Sequence, residues 1–394
     1  MRAYLSLRRG RGFSLVELMV SVVVGLLALM FATRLIINAE QNKSVSLGGS
    51  DSMQNGMLAM FSISGDAGQA GWGLNDNMLI GCNTGFTDAN GYQLATAQLD
   101  GVNITPLAPV VIQSNGANSD QISFYSGTSS VAIGSVPLNG TYADGQSTAT
   151  TAASPTTSYG IEANMVVVFA QETANTPCTL AELSSTLQSG GVVNLDPGLR
   201  FNSAAGYGHT FNTQTSSSRF FMLGLENKLA FHTWSVQNGI LMLRATNLAG
   251  SETTPSSVVD NVVAIKAQYG FDTRTAANFI PTGGMQVGQW SSTMIDADGD
   301  GHVGGMGDYQ RVAAVRLAVI ARSKTVEKPS QTSGQCTATT AQPIVFGSAA
   351  PAAVAAVPVT VNVAVTGDPI DWKCYRYRVF ETIVPMRNAV WRTY

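Results

Sequence analysis

Gly12-Phe13-Ser14-Leu15-Val16-Glu17 is the join at which the chain turns from a basic leader into a long apolar run. The leader carries Arg2, Arg8, Arg9 and Arg11, and the run extends to Ile37 with Glu17 as an early interruption. An ordinary secretory signal places its small-residue cleavage site after the apolar stretch. Here the small residue, Gly12, comes before it, so a cut at that point leaves the apolar helix on the mature protein. Phe13 to Thr33 is about 21 residues, which at about 1.5 Å each roughly matches a hydrocarbon core of ~30 Å. The next arginine is Arg34, so the positive-inside rule keeps the leader cytoplasmic and sends the rest outward. Glu17 is the anomaly, because a carboxylate in a spanning helix costs about 2.5–3.5 kcal/mol and is read as functional by default. It lies one turn from the terminus that a cut after Gly12 creates, within reach of the α-amino group of a neighbouring subunit. The plainer alternative is an interfacial Glu on a signal anchor.

Gly12, Phe13 and Glu17 stand where the class III signal of type IV prepilins has its glycine, its new first residue and its acid. The segment resembles that signal. The resemblance implies cleavage after Gly12 by a prepilin peptidase, N-methylation of Phe13, and a part for Glu17 in assembly.

At 394 residues the chain can bury one large core or two smaller ones. Charged residues are only 12%, while Gly, Ser, Thr and Ala abound, which suits an exported β-rich protein with long loops. The chain carries −3; without the leader arginines, 18 basic residues face 25 acidic ones, a net of −7. That balance argues against a general nucleic-acid-binding surface. Cys82, Cys178, Cys336 and Cys374 are widely spaced without a CxxC, so disulfides in an oxidising compartment are expected rather than zinc. Three pairings are open. The expectation taken is Cys336–Cys374, closing the last loop, with Cys82–Cys178 tying the early ones.

Beyond the membrane run the helical pattern continues, with a weak point at Gly48-Gly49, since each Gly costs about 1 kcal/mol in a helix interior. Met53, Met57, Met60 and Phe61 recur at three- and four-residue steps, predicting a second helical segment that packs this apolar face on a sheet. The period then moves towards two. Strands are predicted at 109–113, 121–125, 165–171, 219–223, 229–236, 240–244, 262–271, 311–322, 357–365 and 375–384. The Ser/Thr/Gly-rich connections at 145–158 and 329–342 read as surface insertions. One helix followed by many strands predicts an α+β protein.

Several segments narrow the resemblance to PilW-type minor pilins: Ala70-Gly71-Trp72 leading to Gly81-Cys82, Ser119 to Tyr125, Asn238-Gly239-Ile240-Leu241, and Val259-Asp260-Asn261-Val262. Gln268 to Asp272, Asp296 to Gly301 and the C-terminal Tyr375 to Thr382 followed by Met386-Arg387-Asn388 continue it in order. The resemblance implies a low-abundance subunit at the pilus tip that helps initiate assembly. Its implied partners are other minor pilins and the major pilin, a tip adhesin, the prepilin peptidase and the inner-membrane assembly platform. Departures from the family pattern are the Gly-rich helix at 48–73 and the long insertions.

Asp296-x-Asp298-x-Asp300-Gly301 places oxygen ligands at alternate positions with glycine sixth, as in the first half of an EF-hand loop. Three carboxylates, the His302 carbonyl and Asp308 make a candidate Ca²⁺ set, although the twelfth position is Gly307 and Asp308 follows one residue late. The alternative is a solvated Asp/Gly turn. For catalysis His209, His232 and His302 sit in unrelated contexts, with no HExxH, GxSxG or P-loop, so no enzyme is expected and no cofactor is required. The alternation Tyr375-Arg376-Tyr377-Arg378 reads as one strand with aromatics on one side and arginines on the other.

The expected protein has a cleaved leader (1–12), an N-terminal helix (13–63, with 13–37 in the membrane) and an extracytoplasmic β-rich domain (64–394). That domain is expected to be pilin-like, with an antiparallel sheet packed on the long helix and large loop insertions. The expected role is a minor pilin in the initiation of type IV pili. It is anchored in the inner membrane by one span, with the bulk periplasmic, and is then incorporated near the pilus tip. The alternatives are a J-type pseudopilin of type II secretion, or a pilus-associated adhesin or DNA-uptake receptor.

Overall fold

The computed structural model describes residues 14–390, apart from 75, 129–134, 153–159, 174, 213–216 and 331–332. Gly12 and Phe13 lie outside the described residues. Helix α1 runs Leu15–Gln69 without a break, through Gly48 and Gly49 and past residue 63. Its 55 residues span about 80 Å at the α-helical rise.

The predicted second segment packs the other way round. Met53, Met57 and Phe61 point outward, Phe61 being 76% exposed and Met57 54%, and only Met60 is partly buried. The buried stripe is Gly48, Ser52, Gly56, Ala59, Ile63, Ala67 and Ala70. The cause is steric. A Cβ on Gly56 would fall inside the Phe380 ring, and one on Gly48 would meet Thr325 and Ser323. Small residues let the helix backbone lie almost on the sheet, and tertiary packing of this face outweighs the poor helix propensity of glycine.

Beneath the helix lies a four-stranded antiparallel sheet in the order Gln289–Ser291, Val262–Phe271, Val312–Arg322, Tyr377–Pro385. All ten residues of Val262–Phe271 are buried because both faces are covered. On one face Val315, Leu317 and Val319 meet Ala59, Ile63 and Ala67 of α1; on the other, Ala264, Ala318 and Ile320 meet Val345, Phe346, Val361 and Val363. Residues 357–365 therefore cover a sheet face rather than form the predicted long strand; only Val359–Thr360 pairs, with Ile344–Val345. A five-stranded sheet follows, in the order Ser256–Asp260, Ile240–Ala245, Ala230–Gln237, Gln121–Ser126, Val110–Gln113. Fully buried Lys266 joins the two sheets, pairing with Asp120 and donating to the Gly116 and Asn118 carbonyls.

Farther out, a six-stranded sheet contains Cys82–Gly85, Cys178–Glu182, Met165–Gln171 and Ser218–Leu225, between Pro106–Leu107 and Ser135–Pro137. Cys82–Gly85 and Cys178–Glu182 run parallel with Thr84 opposite Cys178, and the Cys82–Cys178 disulfide cross-links them. The second disulfide, Cys336–Cys374, ties the connection after Val312–Arg322 to the start of the last strand.

Candidate functional site: assembly helix and acidic loop

Leu15–Ile37 is long and apolar enough to cross a membrane, and none of it is buried within the chain. Every large apolar side chain in it is more than half exposed. Ser14 precedes the helix and Glu17 sits in its first turn, a Ser-x-x-Glu spacing that in a capping box would tie the two to the backbone. Ser14 makes no side-chain cap bond, however, and Glu17 has no ion-pair partner among the described residues. The carboxylate lies next to the dipole-positive end of the helix.

At its far end α1 is pinned through Asp66, an acid that the helix pattern alone does not mark. Asp66 accepts from His232 Nδ1 at 2.8 Å and from Trp234 Nε1 at 2.7 Å, and His232 Nε2 meets Asn247 Oδ1 at 2.8 Å. Both imidazole nitrogens thus face acceptor oxygens, the arrangement of an imidazolium. Burial would lower the His232 pKa, but the bond to Asp66, its charge and the bond to Asn247 hold it above the ordinary value. An acid within the apolar-spaced turn Ile63 to Ala67 was the available signal. Asn388 Nδ2 adds bonds to the Gln69 and Ala70 carbonyls.

In the acidic loop, carboxylate oxygens of Asp296, Asp298 and Asp308 lie within 4.8 Å of one another. The Asp300 carboxylate and the His302 ring fall outside this group: Asp300 Oδ1 accepts from His302 N at 2.8 Å, and His302 Nδ1 pairs with Asp100 Oδ2 at 2.7 Å. Asp308 opens helix α2 (Met306–Gln310) and gathers the loop, accepting from the backbone N–H of Ala297, Gly304 and Gly305. Burial pushes its pKa up to about 6, with the Asp298 charge adding to the rise. Gly307 stands in place of a ligating Glu, and a Cβ there would displace the Asp298 carboxylate. Oxygen donors of this kind and spacing are those a hard cation takes.

The remaining histidine, His209, bonds Thr179 through Nδ1 at 3.0 Å and lies 3.7 Å from Asp144, whose carboxylate also accepts from the Thr179 hydroxyl and the His209 backbone N–H.

Comparison with known families gives two matches on this chain. Residues 7–33 match the prokaryotic N-terminal methylation motif. A helix long and apolar enough to cross a membrane, with that motif ahead of a sheet-rich domain, supports a pilin with a class III signal. Residues 233–388 match type IV pilus-assembly protein W. Together the matches support a PilW-type pilin, a type IV pilus-related minor pilin. That family is structural rather than catalytic. Comparison with curated proteins and with solved structures found no match.

The matched segment contains the whole four-stranded sheet and the Ile240–Ala245 and Ser256–Asp260 strands. The six-stranded sheet falls outside both matches, as do the resembling segments at 70–72, 81–82 and 119–125.

Proposed function

We propose that this protein takes part in the initiation of type IV pili, within a minor-pilin complex next to the pilus apex. The leader 1–12 is removed after Gly12, Phe13 becomes the methylated terminus, and α1 holds the subunit in the inner membrane with the remainder periplasmic. Glu17 then pairs with the terminal amine of a neighbour. Other minor pilins, the major pilin and a tip adhesin are the partners of the extracytoplasmic domain, and the assembly platform inserts the subunit.

The observation that carries this reading is the outward face of α1. Met53, Met57, Leu58 and Phe61 form a second exposed apolar patch on α1 beyond the span, on the side turned away from the domain's own sheet. Exposed apolar surface of this extent marks an interaction site. Pilus counts with membrane-fraction mass spectrometry test it in wild type, a deletion and Glu17→Ala. Mature protein beginning at methylated Phe13, with few or no pili in both mutants, is expected. Abundant pili in both would overturn the assembly role.

For the acidic loop we propose a calcium-class cation held by Asp296 and Asp298 with Asp308, a reading supported by the convergence of their oxygens. Added Ca²⁺ should raise the melting temperature of the wild type and leave Asp298→Asn unchanged. An unmoved wild-type transition would remove the proposal.

A further inference from the structure

The cations of this acidic protein are unevenly placed. Residues 322–328 and 371–378 hold six of the 18 basic residues that come after the leader, against two of the 25 acidic ones. Glu327 pairs with Arg376 and Asp368 with Arg322, while Asp371 caps the short turn at Trp372–Cys374. Lys324, Lys328, Lys373 and Arg378 have no carboxylate partner among the described residues. Lys324, Lys328, Arg376 and Arg378 are exposed, and Lys373 lies over the Trp372 ring.

Their level along the molecule follows from the contacts of α1. The end of the helix at Gln69 meets Asn388, Gly56 meets Phe380, Gly49 is next to Arg378, and Gly48 meets Thr325 and Ser323. Descending the helix towards the span therefore descends the last strand from 388 to 378. Arg376 and Lys373 continue in the same direction. Val312–Arg322 runs antiparallel to that strand and delivers Lys324 and Lys328 at the same lower end. From Gly48 to Ile37, the end of the span, is eleven residues, about 16 Å of helix. The headgroup layer extends roughly 5–8 Å beyond the hydrocarbon. Lysine and arginine side chains reach into the remaining gap, which is comparable to a Debye length of about 8–10 Å.

We propose that Lys324, Lys328, Lys373, Arg376 and Arg378 form a basic collar that rests on anionic phospholipid headgroups while α1 is in the bilayer. The collar sets the height and tilt of the domain over the membrane before the subunit leaves for the pilus. Cys336–Cys374 holds one side of it in place, next to Lys373. The inference rests on the membrane-anchored reading of α1.

The test uses the mature chain from Phe13 in nanodiscs of phosphatidylcholine alone, or of equal parts phosphatidylcholine and phosphatidylglycerol, with lysine acetylation read by mass spectrometry. Acetylation of Lys324 and Lys328 should fall about fivefold in the anionic discs, equivalent to ~1 kcal/mol per side chain, and recover in high salt. Lys228, exposed and remote from the collar, should react equally in both. In Lys324→Glu/Arg378→Glu the difference at Lys328 should disappear. Equal acetylation of the collar lysines in both lipids overturns the collar, as does an equal slowing of Lys228. A chain that does not co-purify with either disc overturns the anchored reading instead.

Discussion

The two halves of helix α1 are covalently continuous and physically opposite. In Leu15–Ile37 the side chains are large, apolar and bare of any intramolecular contact with the domain. From Gly48 to Ala67 the side facing the sheet is made of Gly, Ser and Ala apart from Ile63, while the large apolar Met53, Met57, Leu58 and Phe61 face away. The contrast teaches that apolarity marks surface to be covered without saying by what. Where the domain itself is the cover, close backbone approach selects Gly, Ser and Ala. Where lipid or another subunit is the cover, bulk is retained.

The largest expected effect belongs to the first half. Glu17→Ala should abolish or nearly abolish pili while the sheet-rich domain melts at the wild-type temperature. A shifted melting transition would mean that the halves are coupled in a way the structure does not show. Next comes the second half. Gly56→Leu, which drives a side chain into Phe380, should cost about 2–3 kcal/mol in denaturant unfolding of the domain, whereas Val23→Leu in the span should cost it nothing measurable. If both are neutral, α1 is not seated on the sheet as described.

Asp66→Asn sharpens the picture at the end of the packed half. Because the folded pKa of His232 is raised, its stabilisation is fully present below the ordinary histidine value and is lost as pH rises through the raised one. Wild-type stability should therefore decline across that window, and Asp66→Asn should lose about 1–2 kcal/mol at low pH and flatten the decline. An unchanged pH profile in Asp66→Asn would exclude His232 as its source. Smallest is Phe61→Ser on the outward face, expected within roughly ±0.5 kcal/mol for the isolated subunit yet lowering pilus number. A large loss of intrinsic stability there would place Phe61 in a core.

Much of the sheet scaffold was legible because its period is local. Met165–Gln171 and Val262–Phe271 occur at the predicted bounds, and most other long strands differ only at their ends. Alternation and β-branched runs report on the residue's own neighbourhood. The short strands of the six-stranded sheet, Cys82–Gly85 and Cys178–Glu182 among them, carry too few residues for a period to register. The 357–365 segment has the alternation of a strand because Val361 and Val363 pack on a sheet face, and packing without a ladder looks the same in one dimension. In the acidic loop the spacing named all three converging carboxylates, but not the turn of His302 towards Asp100, which lies 202 residues away.

By itself the sequence determined the class of this protein. A basic stretch ending in Gly12, a membrane-length run and a lone acid at Glu17 are read from consecutive residues, and so is the α+β character of the part that follows. Only the tertiary structure decided which face of α1 is buried, which of the three cysteine pairings forms, and that Asp66 reaches His232. Each of these depends on residues from 38 (Cys336 and Cys374) to 324 (Gly56 and Phe380) positions apart being brought within a few ångströms. Backbone proximity, not composition, selects glycine against Phe380 and brings Lys324 and Arg378 to the same end of the sheet.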